Sequence, residues 1–349
     1  MKNNASHFSR RNFIASTATV AAGLSLGGSK VWGAPAYIPH LLEPNSKING
    51  VQLGTITYSF RSLKDQSAEA TLQYVLDCGI SAVELMGDPA ETFAGKPENP
   101  VDRRKYYGLM RAERDGKLTA DQEKEFNELK AQGEDYEKQL ERWDKQASLS
   151  KMETLCKMYN AAGVSIYSYK PDRFLRKGNS DENINFAMQA GKILGASHVT
   201  IELPREADYT LKLGKMAEQN GILVAYHGHE QQHPEWWDVA LEQSPNNAMN
   251  MDLGHFVAAG NLEPLQTIQQ KHQWIKSMHV KDRRNPANGK SNLPFGQGDT
   301  PIVEALQLMR NQKYTFPATI EYEYETPEGS DVISEIKKCV AYCKNALES

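Results

Sequence analysis

Positive charge is not in excess in this sequence, which has 40 Lys and Arg residues against 44 Asp and Glu residues and a formal net charge of −4. Proteins that recruit nucleic acid by electrostatics present a basic surface, so this balance argues against a nucleic-acid partner. A long apolar run is also missing. The weakly apolar stretch from Ala15 to Leu26 is rich in Gly, Ser and Thr and is too short for a membrane-spanning helix, which needs about 20 apolar residues. We therefore expect no membrane anchor.

Cysteine is scarce, and its placement excludes a thiolate metal centre. The four residues are Cys78, Cys156, Cys339 and Cys343, and no CxxC pair occurs. None of them lies beside the carboxylates and histidines discussed below. Free cysteine behaves as a small apolar residue and is usually buried. We therefore predict buried or half-buried thiols.

The first 35 residues have the composition of an export signal. The segment Ser9-Arg10-Arg11-Asn12-Phe13-Ile14 resembles the twin-arginine motif, and small residues around Gly33-Ala34 offer a cleavage site. This predicts an exported, periplasmic protein delivered already folded, with its metal loaded before export. No cysteine lies near the cleavage region, which argues against a lipoprotein. The alternative is a disordered tail with an accidental Arg-Arg pair.

Residues 48–349 show one repeating pattern, in which predicted strands alternate with predicted helices. Eight apolar, strand-like runs alternate with amphipathic helical segments that end at glycine or asparagine, and no break in composition requires a second domain. This pattern predicts an α/β protein with a single (β/α)8 TIM barrel domain. Residues 98–150, after the second strand, are charged and helix-prone. We interpret them as a helical insertion that forms a lid, a contact between copies in a homo-oligomer, or a solvated hairpin without a role.

Five consecutive strands of this pattern end in a residue type that binds metals. The five residues are Glu202, His227, Asp252, His279 and Glu321. Strand ends of a parallel barrel converge at one mouth, so we expect these side chains to meet there. Carboxylates and imidazoles together suit one divalent metal ion, and the sequence leaves Mn, Zn, Co, Fe and Mg open.

Side chains two residues apart on a strand point the same way, which places a second polar residue beside some of these ligands. His229 follows His227, Lys281 follows His279, and Glu323 follows Glu321. The deeper member of the histidine and glutamate pairs is our predicted metal ligand, and the outer member would meet substrate or support the metal ligands by hydrogen bonding. We also expect substrate contacts from other polar or aromatic residues near strand ends, namely Glu84, His255, Lys281, Trp237 and Glu323.

These residues stand in five short motifs: Glu202, His227-Gly-His229, Asp252-Leu-Gly-His255, His279-Val-Lys281-Asp282 and Ile320-Glu321. The set resembles the xylose-isomerase-like barrel superfamily of sugar isomerases and epimerases, over nearly everything from Val51 to Leu347. In that superfamily a divalent metal is usually held by Glu, Asp, His and Glu on the last four strands. Asp252, His279 and Glu321 match the last three. His227 stands where a glutamate is common, and Glu202 on the preceding strand would compensate.

The resemblance implies that a metal chelates a carbonyl and its neighbouring hydroxyl, so that a base removes the adjacent proton and a metal-stabilised enediolate forms. Returning the proton gives epimerisation or isomerisation. Expelling a β-leaving group instead would make the protein a lyase or hydratase of 3-keto-glycosides or inositol-type keto-sugars. The predicted catalytic residues are Glu202, His229, Glu321 and Lys281. An exported enzyme meets few sugar phosphates, which favours a free sugar, keto-sugar or keto-glycoside as substrate.

Two other readings compete with a sugar enzyme. The endonuclease IV family shares the barrel and the Asp-x-x-His spacing, but its three-metal cluster needs more ligands than this sequence places, and an acidic chain binds DNA poorly. A barrel that has lost its metal and only binds sugar is the second. Metal analysis and the effect of a chelator on thermal stability separate it from an enzyme.

Overall fold

Eight parallel strands form the centre of the molecule in the computed structural model, which describes residues 44–171 and 173–349. The predicted export signal lies outside the described residues. The strands are β1 (Val51–Ile56), β2 (Ala82–Met86), β3 (Ser165–Lys170), β4 (His198–Glu202), β5 (Leu223–His227), β6 (Asn247–Asp252), β7 (Ile275–Val280) and β8 (Ala318–Ile320).

Hydrogen bonding closes these strands into a ring. Each strand pairs in parallel with the next along the chain, and β1 pairs with both β2 and β8, through Ile56 opposite Glu84 and Ala318 opposite Leu53. The strands are apolar and buried on both faces, as expected where helices cover a parallel sheet. A short strand, Lys47–Ile48, adds an antiparallel edge to β1.

Twelve α-helices and two short 3₁₀ helices, Thr57–Phe60 and Pro286–Asn288, are found among the described residues. The α-helices are α1 (Ala68–Asp77), α2 (Gly87–Phe93), α3 (Arg103–Arg114), α4 (Ala120–Asp144), α5 (Leu149–Ala161), α6 (Asp181–Ile193), α7 (Ala207–Asn220), α8 (Asp238–Gln243), α9 (Leu253–Ala258), α10 (Pro264–Lys271), α11 (Ile302–Gln312) and α12 (Val332–Glu348). Together with the ring they confirm the predicted (β/α)8 barrel with a helical insertion after its second strand.

The insertion consists mainly of α3 and α4, which pack against each other through a small apolar cluster separate from the main core. Thr119 and Gln122 form a reciprocal capping box at the start of α4. At its other end Trp143 is buried and packs on Phe174, in the loop after β3, with ring centroids 5.5 Å apart. The ion pair between Asp144 and Arg173 (2.8 Å) adds a second contact with that loop. The insertion is therefore anchored at the carboxyl end of the barrel, where the polar strand ends lie.

The four cysteines are free, three of them buried and Cys156 half-buried, as predicted. Among the described residues, no helix has the length and apolar character needed to cross a membrane.

Candidate metal and active site

A fully buried carboxylate forms the floor of the barrel mouth. Glu84, on β2, accepts hydrogen bonds at Oε2 from His279 Nε2 and from Asn250 Nδ2, both at 2.9 Å. All three side chains have no exposed surface. Burial opposes ionisation of Glu84, but the charge of His279 and its hydrogen bond hold the pKa of this carboxyl below its ordinary value. The floor is thus an anion that orients two polar side chains of neighbouring strands.

Asn250 sets the orientation and tautomer of His227. Because the amide nitrogen of Asn250 donates to Glu84, its Oδ1 faces His227 Nδ1 at 3.0 Å and accepts a hydrogen bond from the N–H there. Nε2 of His227 then keeps its lone pair. Burial, followed by the charge of Lys170, holds the pKa of His227 well below its ordinary value. His227 is therefore a neutral imidazole with one nitrogen ready to coordinate a cation.

His279 turns its other nitrogen towards two more carboxylates. Nδ1 lies 3.0 Å from Oε2 of Glu321 and 3.7 Å from Oδ2 of Asp252. The backbone N–H of His255 donates to Oδ1 of Asp252 (2.7 Å), which caps α9 and leaves Oδ2 for the site. Burial disfavours the charged imidazole, yet Glu84 and Glu321 outweigh it and raise the pKa of His279 to about 10. In the metal-free protein His279 is an imidazolium between two anions.

Lys281 places a second cation among the same carboxylates. Its Nζ lies 3.1 Å from Asp252 Oδ2, 2.6 Å from Glu321 Oε2 and 2.7 Å from Glu323 Oε2. Burial lowers the pKa of the ammonium, but these three carboxylates outweigh it and raise the pKa above its ordinary value. The pKa of Glu321 is held well below its ordinary value, against burial, by Lys281 and His279.

Glu202 and His229 form a more exposed pair at the outer side of the mouth. Glu202 Oε2 lies 3.2 Å from His229 Nδ1, while its Oε1 accepts from Lys170 Nζ at 2.9 Å. About half of each of the paired side chains is exposed, 45% for Glu202 and 51% for His229. Burial opposes ionisation of Glu202, but His229, His227 and Lys170 lower the pKa of its carboxyl. The hydrogen bond to Glu202 in turn raises the pKa of His229.

Four histidine rings connect the buried floor with the rim. Ring centroids are 4.7 Å apart between His279 and His227, 5.1 Å between His227 and His229, and 4.6 Å between His229 and His255. Burial lowers the pKa of His255 to about 2, so its ring is neutral. Arg283 donates to His255 Nδ1, which leaves the Nε2 proton of His255 available to a ligand.

The donor set fits a divalent cation. Ligand atoms of His227, Asp252 and His279 lie within 4.8 Å of one another, and an overlapping outer group joins Glu202 and His229 to the same His227. Asp252 Oδ2 is buried and accepts no hydrogen bond from a described residue, although the ammonium of Lys281 is near it. Buried carboxylate oxygens without donors are unfavourable unless a cation compensates them. The Glu84–His279 contact is the carboxylate–histidine arrangement that usually orients a metal ligand.

The structure brings all five predicted metal ligands to one mouth, together with His229, His255, Lys281 and Glu323. Two predicted substrate contacts are corrected. Glu84 lies beneath the histidines and contacts His279 and Asn250, so it does not face a substrate. Trp237 is fully buried, and its indole N–H donates to the carbonyl of Tyr226 at 2.9 Å, so the ring belongs to the core.

Three residues of the mouth were not predicted from the sequence. Asn250 stands two residues before Asp252 on β6, and the strand alternation that paired His227 with His229 would have found it. Lys170 ends β3 as Glu202 ends β4, so its position at a strand end was a usable signal. Arg283 follows β7 in a short strand, Asp282–Arg283, and only its contact with His255 reveals its part.

A family model described as xylose isomerase-like TIM barrel matches residues 72–342. No curated protein sequence matches the chain. Solved structures show the same fold. A sugar phosphate isomerase/epimerase from Parabacteroides distasonis aligns with TM-score 0.52 and 17% identity over 84% of this chain and 93% of that one. A probable 3-DHS dehydratase from Bacillus anthracis aligns with TM-score 0.53 and 14% identity over 83% of this chain and 98% of that one. A 3-keto-D-glucoside 4-epimerase from E. coli aligns with TM-score 0.54 and 11% identity over 84% of this chain and 99% of that one.

Proposed function

The chain belongs to the xylose isomerase-like TIM barrel family, and we propose that it is a metal-dependent sugar isomerase or epimerase. The reaction would remove a proton from a carbon next to a carbonyl and return it. One observation supports this most strongly: the carboxyl ends of β5, β6 and β7 bring His227, Asp252 and His279 close enough to share one ion. Such a convergence has little use in a barrel that only binds sugar.

His227, Asp252, His279 and Glu321 would hold the ion. When bound, it would polarise a substrate carbonyl and so acidify the neighbouring C–H bond. Glu84 and Asn250 would fix the two imidazoles with their coordinating nitrogens towards the mouth, which lowers the reorganisation needed for binding.

Two groups on opposite walls would transfer protons. Glu321 follows β8 and Glu202 ends β4, and in a ring of eight strands the fourth and eighth lie opposite each other. Glu202 is ionised at neutral pH because its partners lower its pKa, so it can accept a proton, and His229 beside it can relay one. General acid–base catalysis of this kind contributes about 10²–10⁴-fold. Removal on one face and return on the other would epimerise the carbon.

A cavity of about 430 Å³ lies beside Glu202, which is within the range of small-molecule sites. It is lined by Lys170, Glu202 and Arg176 among others, and the four residues that would hold the ion are not part of its lining. It would receive the part of a substrate that extends beyond Glu202. The neutral His255 would donate from Nε2 to a hydroxyl or carbonyl oxygen, and Glu323 and Lys281 add polar contacts on the other side. Because we predict export, we favour a free sugar or keto-sugar over a sugar phosphate.

Elimination is the second candidate, and the Glu202–His229 pair favours it. Because Glu202 raises the pKa of His229, the imidazole can hold a proton and deliver it to a leaving oxygen. A 3-keto-glycoside or an inositol-type keto-sugar would then lose its β-substituent, with the same initial proton removal.

Incubation in D₂O tests the proposal. Metal-loaded and chelator-stripped protein would be incubated with ketoses and with 3-keto-glycosides, and products followed by NMR. We expect deuterium at a carbon beside the carbonyl with the chain intact; release of an aglycone would instead establish the lyase. Glu202→Gln should abolish either reaction while retaining the ion. Equal products from loaded and stripped protein would refute metal dependence, and no exchange with either substrate class, together with no bound divalent ion, would favour the non-catalytic barrel.

A further inference from the structure

Lys281 occupies an unusual position for a lysine beside a metal site. Its side chain is 3% exposed and its Nζ is within 3.1 Å of three carboxylates, those of Asp252, Glu321 and Glu323. Lysine is almost never buried without such partners. Lys281 follows His279 by two residues on the same face of the strand, so its ammonium and the His279 ring both point into the mouth of the barrel.

Two of the oxygens around Lys281 are also the ones that approach His279. Oδ2 of Asp252 and Oε2 of Glu321 face both the ammonium and Nδ1 of His279. A divalent ion held by these ligands needs the same lone pairs, and it repels a neighbouring ammonium. The third carboxylate, Glu323, touches Lys281 but, unlike Asp252 and Glu321, forms no ion pair with His279 among the described residues.

The base of the lysine side chain is closely packed. A Cβ added at Gly254 would clash with Cγ of Lys281 and lie 2.7 Å from its carbonyl oxygen, so α9 packs directly on the base of this side chain. Rotation about the bonds beyond Cγ would move the ammonium from one carboxylate to another. Glu323 is the more exposed of the three, at 19%, and so lies on the outer side of the ammonium.

We propose that Lys281 is an internal counter-cation that competes with the divalent ion for Asp252 and Glu321, and that Glu323 retains the ammonium when the ion binds. Metal loading is then an exchange of cations, which keeps the acidic mouth neutralised in both states. The inference rests on the proposed metal site. It makes Lys281 a residue that weakens metal binding, whereas an ordinary supporting residue strengthens it.

Metal affinity of three variants tests the exchange. Chelator-stripped protein would be titrated with Mn²⁺ alone by equilibrium dialysis, with folding checked by circular dichroism. Lys281→Met keeps the length of the stem without its charge, and we expect Mn²⁺ to bind at least tenfold more tightly than in the wild type. Lys170→Met is the matched control, because the charge of Lys170 also reaches His227 and Glu321 but its ammonium contacts Glu202 and neither Asp252 nor Glu321. Its Mn²⁺ affinity should stay within threefold of wild type.

Glu323→Gln keeps Lys281 and should change Mn²⁺ affinity in the opposite direction from Lys281→Met. Without its retaining carboxylate the ammonium stays with Asp252 and Glu321, so we expect Mn²⁺ affinity to fall at least fivefold. This variant also decides the matter if Lys281→Met does not fold. Unchanged or weaker binding in Lys281→Met, or unchanged or tighter binding in Glu323→Gln, would overturn the exchange while leaving the proposed function intact. Absence of Mn²⁺ binding in the wild type and in every variant would overturn both.

Discussion

Replacing Glu84 by glutamine removes a buried negative charge beneath the histidine layer and keeps the shape of the side chain. In the wild type Oε2 accepts from His279 Nε2 and Asn250 Nδ2, both at 2.9 Å. The amide oxygen of Glu84→Gln can take that place. Its NH₂ group must then stand where Oε1 now stands, and that atom has no hydrogen-bond donor among the described residues. The variant thus loses the charge assistance of both hydrogen bonds.

The cost follows from this loss. A hydrogen bond to a charged group contributes about 1 kcal/mol more than a neutral one. Two weakened bonds give a loss of roughly 2 kcal/mol in the free energy of unfolding of the metal-free protein. At about 2 °C per kcal/mol for a large domain, the melting temperature should fall by about 4 °C. Loss of an outer partner of a ligating histidine should also weaken Mn²⁺ binding by about 10–100-fold.

Urea unfolding and Mn²⁺ dialysis at pH 7 measure both quantities, with Glu335→Gln as the matched control. Glu335 is another buried carboxylate, which accepts from Tyr324 Oη at 2.9 Å and pairs with Lys338 at 2.6 Å, but it lies on α12 and its partners do not include the proposed metal ligands. We expect both variants to be destabilised and only Glu84→Gln to lose metal affinity. If Glu84→Gln binds Mn²⁺ as tightly as Glu335→Gln does, Glu84 does not orient the ligands and our account of the floor is wrong.

Three further outcomes are expected. His227→Ala should lower Mn²⁺ affinity more than tenfold, and His229→Ala should lower it less than threefold, because of the two histidines only His227 is buried with a fixed tautomer. If both variants retain the metal equally well, the ion lies elsewhere. Trp237→Phe removes the hydrogen bond to Tyr226 and should cost about 1–2 kcal/mol of stability without altering Mn²⁺ affinity; a loss of sugar binding at unchanged stability would restore its predicted role. The Glu335 pKa is lowered, since Lys338, Ser330 and Tyr324 outweigh the burial that opposes ionisation. Its contribution is therefore present above the unfolded pKa near 4.5 and is lost as pH falls through the folded value. The stability difference between wild type and Glu335→Gln, followed by urea unfolding from pH 7 downwards, should shrink below about pH 4.5, and a difference that grows there would contradict the assignment.

The sequence was sufficient for the barrel and for the meeting of the strand ends. Five strands that end in ligand types converge in any closed parallel ring, whatever the details of packing. The alternation of side chains along a strand also ranked the pairs correctly by depth. His227 is buried and His229 exposed, and Glu321 is more buried than Glu323.

The burial of the side chains near the strand ends, and the contacts they make, could be seen only in the tertiary structure. Glu84 and Trp237 had the sequence signature of mouth residues, but the first lies under the histidines and the second faces the core. The sequence predicts Lys281 as a catalytic residue and a substrate contact, and only the fold places three carboxylates around its ammonium.

The local sequence thus determined which strand each functional side chain follows and on which side of the chain it points, because a strand repeats every two residues. It did not determine how strands distant in the chain stagger against one another around the ring. That stagger decides which charges become neighbours, so the floor of Glu84, the tautomer of His227 and the partners of Lys281 are properties of the closed barrel alone.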